Sequence, residues 1–370
     1  MGLKFGLIGG GSISHKHIKA AGANGRARLI AGCFSRSADK NAAFAAQYGV
    51  SPDRAYPDYI IMAEAESKRF DRLDFIIVAT PNTSHYDICK LFLERGFNVV
   101  CDKPLATDAF KAEELSALAA AKGLTCMTTY TFLGSKGIHA LKSLYENGRV
   151  GKAYYIYLRY LRGVRLGQVM EDPRSVWRFN ADLSGRAGAI GDLGSHLESL
   201  ARFVTGDPIE SVIARLVNEP NGIELDSAAT VIFKTKSGLN GSMQIAQLAC
   251  GYENEVTLEL WCERGSLSWS FSDPESVWIS LSNGGREKVS AAEYRDSIDL
   301  ADPPVEDGTD GHITCFQRLY DGYITVLEAG SGGVARAFFP TFGDGAEGVS
   351  FIGSCVDSQR NNNAWTQLHL

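Results

Sequence analysis

Three residues of this chain have side chains suited to moving a proton and stabilising a negatively charged oxygen: Lys103, Asp192 and His196. Histidine ordinarily titrates near neutral pH, so it can act as a general base toward a hydroxyl group. A lysine ammonium can stabilise the alkoxide that forms when a carbinol gives up its proton. Each residue also has a purely structural interpretation, as a helix histidine, a helix N-cap and a surface lysine. A catalytic role therefore depends on the elements that position them.

The elements around these residues favour a common site. Asp192 and His196 are four residues apart in a helix predicted over 192–205, so their side chains share one helical face. Lys103 follows the apolar run Val99-Val100-Cys101, which predicts a buried strand. Open α/β sheets bind ligands at the carboxyl ends of their parallel strands, and we expect Lys103 there.

The first part of the chain alternates short apolar runs with helical patterns. The runs lack the polar alternation of half-exposed strands, which indicates a parallel sheet covered by helices on both faces. Predicted strands lie at 5–8, 29–34, 75–79, 98–101 and 125–128. The order predicts a doubly wound Rossmann domain over residues 1–128.

The remainder, residues 129–370, is predicted to be an α+β domain that binds substrate and mediates oligomerisation. Alternating runs separated by turns, from 153–162 and then through 210–271, predict a large, mostly antiparallel sheet that is open on one face. Helical patterns at 311–329 and 344–358 follow, and the last helix is expected to pack back on the first domain. Overall the chain belongs to the α/β class.

A glycine-rich loop, Gly9 to Ser14, joins the first strand to its helix. Gly9 and Gly11 allow a tight turn and close approach of a dinucleotide pyrophosphate, with Ser12 and Ile13 at the helix N-terminus. The second strand ends without the carboxylate that usually binds the 2′-hydroxyl of NAD. It ends instead on Ser35 and Arg36, which suit a 2′-phosphate, so we favour NADP over NAD. The alternative is that Arg36 stacks on adenine or faces solvent.

Composition excludes several classes of function. The net charge of −6 opposes binding to nucleic acid or to anionic membranes, and 370 residues suit two domains. The first residues enter a strand directly and no apolar run has the length of a membrane span, so neither a signal peptide nor a membrane anchor is expected. None of the eight cysteines forms a C-x-x-C pair or has zinc spacing. We expect a cytoplasmic protein with no metal and no disulfide framework.

Several separated motifs follow one another in a recognisable order. They are Ala79-Thr80-Pro81-Asn82-Thr83-Ser84-His85, Cys101-Asp102-Lys103-Pro104-Leu105, Trp177-Arg178 with Gly185-x-x-Gly188-Ala189, Gly191-Asp192-Leu193-Gly194-Ser195-His196, and Phe339-Pro340-Thr341 with Asp344-Gly345. Together with the glycine loop, this pattern resembles the glucose–fructose oxidoreductase/inositol dehydrogenase/MocA (Gfo/Idh/MocA) family over nearly the whole chain.

The resemblance implies roles for individual residues. Besides the residues of the glycine loop and Ser35 and Arg36, seven residues are expected to contact the nucleotide cofactor. They are Thr80, Pro81, Asn82, His85, Lys103, Trp177 and Arg178. Lys103 is implied to reach both the nicotinamide ribose and a substrate hydroxyl, and Asp192 with His196 to complete the catalytic site. The sequence departs from the family at Asp102, where Glu is usual, and at Leu133, in a region where many members carry Arg.

Aromatic rings and planar hydrogen-bond donors suit the binding of sugar rings, so residues of these kinds are the candidates for contact with the substrate. Beside the catalytic residues, we expect Tyr130, Trp177 and His312 to contact substrate, whereas Arg162 and Arg165 could hold an acidic substrate group or the cofactor phosphate.

These observations predict an NAD(P)-dependent oxidoreductase that transfers a hydride between nicotinamide and a carbinol carbon of a sugar, polyol or glycoside. Either His196 or Lys103 is the base. The alternatives are a non-catalytic NAD(P)-binding regulator and a dehydrogenase of a non-sugar such as a dihydrodiol. The open sheet predicts a homodimer or homotetramer, and a small carbohydrate-like molecule is the expected ligand.

Overall fold

The computed structural model describes residues 2–163, 180–219, 223–297, 300, 311–330 and 337–369. The chain divides into two compact units. The first comprises residues 1–129 and 300–346, and the second comprises residues 130–299 and 347–370.

The first unit is built on a five-stranded parallel sheet with the strand order β2-β1-β3-β4-β5. The strands are β1 (Leu3–Ile8), β2 (Ala27–Cys33), β3 (Phe75–Val78), β4 (Asn98–Cys101) and β5 (Cys126–Thr128). The helices between them are α1 (Ser12–Gly22), α2 (Ala38–Gln47), α3 (Tyr59–Ser67), α4 (His85–Glu94) and α5 (Ala109–Ala121), with short 3-10 turns at 52–54 and 82–84. Strand β3 is buried throughout, as expected for a sheet covered on both faces, and the doubly wound prediction is confirmed.

Residues 300–346 lie in the first unit, whereas their sequence pattern alone assigned them to the second domain. The reason is a long amphipathic helix within this segment, Gly311–Ala329, which packs against α1. Its aromatic side chains Phe316, Tyr320 and Tyr323 are buried in the same core as the residues of β1 and β3. Helical periodicity in the sequence shows that the apolar face of this helix must be buried, but it does not show which part of the protein covers that face.

The second unit contains a nine-stranded sheet with the order β13-β12-β11-β10-β6-β9-β8-β7-β14. Its strands are β6 (Ala153–Leu161), β7 (Ile209–Val217), β8 (Ala228–Thr235), β9 (Asn240–Ala246), β10 (Glu255–Cys262), β11 (Gly265–Ser270), β12 (Ser276–Leu281), β13 (Arg286–Ser290) and β14 (Thr366–Gln367). Only the β6–β9 pair among these described strands is parallel, which confirms the mostly antiparallel sheet. Sequence periodicity did not identify β12, β13 or β14.

The remaining elements, numbered along the whole chain, are α6 (Lys136–Glu146), α7 (Ala181–Ser184), α8 (Ser195–Thr205), α9 (Gly311–Ala329) and α10 (Phe342–Arg360). A π-helical turn, Ile190–Gly194, leads into α8, and 3-10 turns occur at 131–134 and 291–297. Helix α6 contacts β11 and β12, and α8 contacts β6. On the face of the sheet that is buried, one apolar row across neighbouring strands is fully inaccessible to solvent. It consists of Leu158, Leu258, Met243 and Val231.

No helix within the described ranges is long and apolar enough to cross a bilayer. The described residues likewise contain no cluster of three or more His, Cys, Asp and Glu side chains arranged to hold a metal ion. All eight cysteines are free thiols.

Candidate active site

The glycine loop after β1 leaves room for a ligand. Gly9 adopts a φ of 113°, and a Cβ there would lie 2.2 Å from the Ala79 carbonyl oxygen, so only glycine fits. Around Gly11, by contrast, no described atom lies within 4 Å of the position that a Cβ would take. The first turn of α1, which includes Ser12 and Ile13, carries no acidic residue. Open space at an uncapped helix N-terminus fits a dinucleotide pyrophosphate.

The backbone after β2 is held by a buried amide. Asn41 Oδ1 accepts hydrogen bonds from the backbone N–H groups of Phe34 and Ser35, at 2.7 and 3.3 Å, and Asn41 Nδ2 donates to the Tyr56 carbonyl at 3.1 Å. Ser35 Oγ accepts from the Ser37 N–H at 3.2 Å, and Arg36 is exposed. The backbone of the loop that is predicted to lie near the cofactor ribose is therefore held by Asn41, and Arg36 in that loop is exposed.

His85 joins two loops at the carboxyl edge of the sheet. Its Nε2 lies 2.9 Å from the Thr80 carbonyl oxygen and its Nδ1 lies 2.8 Å from the Pro104 carbonyl oxygen. Only 1% of the residue is exposed. This geometry ties the loop after β3 to the segment after Lys103, and contact of His85, Pro81 and Asn82 with a cofactor stays a prediction.

Asp102 supports the backbone of Lys103. Its Oδ1 accepts from the Lys103 N–H at 2.9 Å and from Thr129 Oγ1 at 2.8 Å. His17 Nε2 lies 3.9 Å from the same oxygen, and His17 Nδ1 is 2.7 Å from the Tyr320 hydroxyl. Burial lowers the pKa of His17 to about 4, and the nearby Asp102 charge offsets only part of that effect. The aspartate that replaces the usual glutamate thus faces a neutral imidazole at physiological pH.

In the second unit, His196 lies among three aromatic rings and is 5% exposed. The ring centroids of Phe132, Tyr130 and Tyr160 are 5.0, 6.0 and 6.2 Å from that of His196. Burial, and then the nearby Asp192 carboxylate, raise the pKa of Tyr160, so its hydroxyl stays protonated. Sequence analysis missed Phe132 and Tyr160, since aromatic residues in apolar runs resemble any core residue.

Asp192 lies in the π-helical turn that precedes α8, so helical structure begins two residues before the predicted start at 192. Asp226 fixes the backbone at the start of this turn by accepting hydrogen bonds from three backbone N–H groups. Gly188 and Ile190 donate to the two oxygens of its buried carboxylate at 2.6 and 2.7 Å, and Ala189 donates to its carbonyl at 2.7 Å. Burial raises the pKa of Asp226, and these hydrogen bonds oppose the effect. Single π-turns within helices often occur at functional sites.

Gln247 completes this framework, with its Nε2 donating to Asp192 Oδ2 at 3.1 Å. Sequence analysis missed both Asp226 and Gln247. A signal for Gln247 was present: it continues the inward-facing positions Gly241, Met243 and Ile245 of β9, where a polar residue is unusual.

The predicted site residues are divided between the units. The glycine loop, residues 80–85 and Lys103 lie in the first unit, whereas Tyr130, Asp192 and His196 lie in the second. Tyr130 is fully buried beside His196, and Leu133, 2% exposed, is part of the core.

Of the remaining predicted residues, the structure describes His312 but not three others. His312 lies on α9, where its Nδ1 is 3.4 Å from Lys16 Nζ and its ring stacks on Phe316 at 5.4 Å. Trp177, Arg178 and Arg165 lie outside the described residues.

Comparison with known families agrees with the motifs. Residues 3–130 match the family described as "Oxidoreductase family, NAD-binding Rossmann fold", and residues 138–268 match the GFO/IDH/MocA C-terminal domain. The two matches together cover more than half of the chain and confirm the resemblance, the nucleotide-binding fold and the expectation of a nicotinamide-dependent oxidoreductase.

Among similar proteins, the oxidoreductase YfiI of Bacillus subtilis is 26% identical, covering 99% of this chain and 97% of its own. Levoglucosan dehydrogenase of Pseudarthrobacter phenanthrenivorans is 23% identical over 56% of this chain and 57% of its own. A crystal structure of an inositol dehydrogenase homologue with NAD+ from Azotobacter vinelandii superposes with a TM-score of 0.91 at 24% identity, covering 99% of this chain and 97% of that one. At that identity the superposition establishes the fold alone. From the two family matches, this chain belongs to the GFO/IDH/MocA oxidoreductase family.

Proposed function

We propose that this protein interconverts a carbinol and a carbonyl group of a sugar, polyol or glycoside, with NADP or NAD as the redox partner. The observation that carries the proposal is the single framework that holds Asp192 and His196. Asp192 lies in a π-helical turn that runs directly into the helix bearing His196, and buried hydrogen bonds fix that turn. Relatives named for levoglucosan and inositol support a polyhydroxylated substrate.

Each catalytic residue is assigned one task. The glycine loop would hold the pyrophosphate of the dinucleotide, whose nicotinamide would supply the hydride acceptor or donor. In the oxidative direction His196 or Lys103 takes the proton from the substrate hydroxyl, and in the reductive direction the same group returns it. The Lys103 ammonium stabilises negative charge on the reacting oxygen, and Asp192 orients Lys103 or the substrate.

The surroundings of His196 support its role in proton transfer. Aromatic rings on three sides limit its rotation and exclude water, which strengthens electrostatic effects on a reacting oxygen. Replacement tests which residue is the base. If His196 is the base, His196→Asn lowers kcat by at least about 100-fold and Lys103→Arg lowers it much less, whereas the reverse order would make Lys103 the base.

For the cofactor we propose a preference for NADP. Strand β2 ends at Cys33, and residues 34–37 after it include Ser35 and the exposed Arg36 but no carboxylate to bind a ribose 2′-hydroxyl. A guanidinium bonded to a phosphate typically adds 1.5–3 kcal/mol, which corresponds to roughly 10- to 100-fold in affinity. Arg36→Ala should therefore weaken NADP by about that factor and leave NAD within about twofold, as measured by kcat/KM for each cofactor. Equal losses for both cofactors would contradict this preference.

We also propose that the protein is a homodimer or homotetramer assembled through the open face of its sheet. Register places Trp278, Glu259, Tyr157 and Ile232 in one row across that face, and Tyr155 stacks on Trp261 at 5.2 Å in the next row. The exposed fractions of Ile232, Trp261 and Trp278 are 45%, 44% and 36%. Apolar side chains exposed together on one surface are typical of an interface.

Light scattering tests the assembly. Trp261→Asp should shift the molar mass toward the monomer, because a charge would be buried at the interface. Phe70→Asp is the matched control, since Phe70 is fully exposed in the first unit. A wild-type protein that is already monomeric would refute the assembly.

A panel of sugars, polyols, glycosides and dihydrodiols, followed by nicotinamide absorbance, tests the function. Turnover confined to the carbohydrates supports the proposal. Turnover confined to dihydrodiols would assign the fold to a non-sugar substrate. Tight cofactor binding without any turnover would favour a non-catalytic regulator and contradict an enzyme acting on these compounds.

A further inference from the structure

The end of β9 and the start of β8 lie side by side and hold the turn that carries Asp192. Ala228 pairs with Ala246, and the Gln247 N–H donates to the Ser227 carbonyl at 2.8 Å, so the pairing continues one residue further. This places Asp226 and Gln247 on neighbouring strand ends. The turn itself packs directly on β9, where a Cβ on Gly194 would lie 3.2 Å from Ile245 Cδ1.

The Gln247 side chain is buried with one of its polar atoms unpaired, which does not favour stability. Gln247 is 4% exposed, its Nε2 donates to Asp192 Oδ2 at 3.1 Å, and its Oε1 has no hydrogen-bond partner among the described residues. The amide orientation follows from chemistry, because a carboxylate oxygen accepts hydrogen bonds and would repel the amide oxygen. A buried acceptor without a partner destabilises a fold, so an apolar side chain of the same length would serve the core better.

We propose that Gln247 is a positioning residue that fixes the carboxylate of Asp192 for catalysis, with Asp226 fixing the backbone of the same turn. The two residues act at different points. Asp226 holds the N–H groups of Gly188 and Ile190, which sets where the π-helical turn begins, and Gln247 holds the carboxylate that the turn presents. A Cβ on Gly188 would lie 2.1 Å from the Asp226 carbonyl oxygen, so this close approach requires glycine. The inference rests on the catalytic role proposed for Asp192.

Gln247→Met separates positioning from folding. Methionine keeps the length and burial of the side chain, removes the orphaned oxygen and removes the donor to Asp192. The expected result is an unchanged or higher Tm together with a kcat lowered by about 10- to 100-fold, the cost of a misplaced catalytic group. The affinity for NADH, measured by fluorescence, should stay within about twofold of wild type. Gln244→Met is the matched control, because Gln244 lies on β9 three residues before Gln247 and its Oε1 accepts a hydrogen bond from the exposed Thr230 hydroxyl, away from Asp192.

A double-mutant cycle with Asp192→Ala gives the decisive readout, because alanine has no acceptor for the Gln247 amide. If Gln247 acts through the carboxylate, Gln247→Met should lower kcat in the wild-type background and have less than a twofold effect in the Asp192→Ala background. Additive losses in the two backgrounds would overturn the inference, as would wild-type kcat in Gln247→Met. A fall in Tm that accompanies the loss of kcat would assign Gln247 to packing instead.

The same cycle distinguishes this inference from the proposed function. If Asp192→Ala keeps wild-type activity, the proposed role of Asp192 is wrong and the inference falls with it. If Asp192→Ala loses activity while Gln247→Met does not, the proposed function stands and only the inference is overturned.

Discussion

The pH dependence of stability should depend strongly on His17. This residue is fully buried, and its pKa falls from an ordinary 6.5 to about 4 because burial disfavours the charged imidazole. Between these values the unfolded chain takes up a proton that the folded chain refuses. Stability contributed by the neutral imidazole is therefore fully present above pH 6.5 and is lost as the pH falls toward 4.

The size of the effect follows from the two pKa values. At about 1.4 kcal/mol for each pH unit between them, the limiting loss is about 3.4 kcal/mol. At pH 5 the loss is about 2 kcal/mol, because most unfolded but few folded molecules are protonated there. His17→Gln removes the titration and keeps a polar partner for the Tyr320 hydroxyl. The variant should therefore lose about 2 kcal/mol less than wild type between pH 7.5 and pH 5.

Urea unfolding at the two pH values measures this difference. All five tryptophans lie in the second unit, so far-UV circular dichroism or hydrogen exchange in α1 must follow the first unit. His15→Gln, at an exposed position of the same helix, is the control and should keep the wild-type pH dependence. Identical pH dependence in wild type and His17→Gln would refute the burial argument.

Two other predictions concern packing. Glu66 is fully buried and accepts two hydrogen bonds from Arg54, at 3.0 and 2.6 Å. Glu66→Ala should leave the buried guanidinium with the partly exposed Asp71 as its remaining described ion-pair partner, and should cost about 3 kcal/mol in urea unfolding. A loss below about 1 kcal/mol would contradict a buried ion pair. A Cβ on Gly348 would lie 2.0 Å from the buried Tyr130 hydroxyl, so Gly348→Ala should cost about 1–3 kcal/mol. Gly353→Ala in the same helix meets no described atom within 4 Å and should stabilise slightly; equal effects of the two alanines on Tm would refute the clash.

Much of the fold could be predicted from local pattern. The apolar runs at β1, β3 and β4 and the glycine turn at Gly9 depend on short-range chemistry, and they identify the Rossmann unit without tertiary information. The placement of α9 could not be predicted, because its apolar face would fit any partner of matching shape. Strand β12 was missed because its outward-facing Trp278 interrupts polar alternation, and β13 was missed because Val289 is its only apolar residue.

The candidate site likewise contains residues that local sequence pattern predicts and residues that it does not. Lys103, Asp192 and His196 are recognisable because their chemistry and motif spacing are local features. The residues that hold them in place are not recognisable in this way, because they are distant in sequence. Asp226 is 38 residues from Gly188, and Gln247 is 55 residues from Asp192. A buried polar residue within an apolar alternation, as at Gln247, is the one local sign that such a support exists.

The nicotinamide absorbance time course of wild type and of His196→Asn, with cofactor and a turned-over sugar or polyol, tests the central claim most directly. We expect His196→Asn to bind NAD(P)H with wild-type affinity and to lower kcat by at least about 100-fold, whether His196 transfers the proton itself or orients the substrate hydroxyl for Lys103. Wild-type turnover by His196→Asn, with cofactor binding intact, would show that His196 has no part in catalysis.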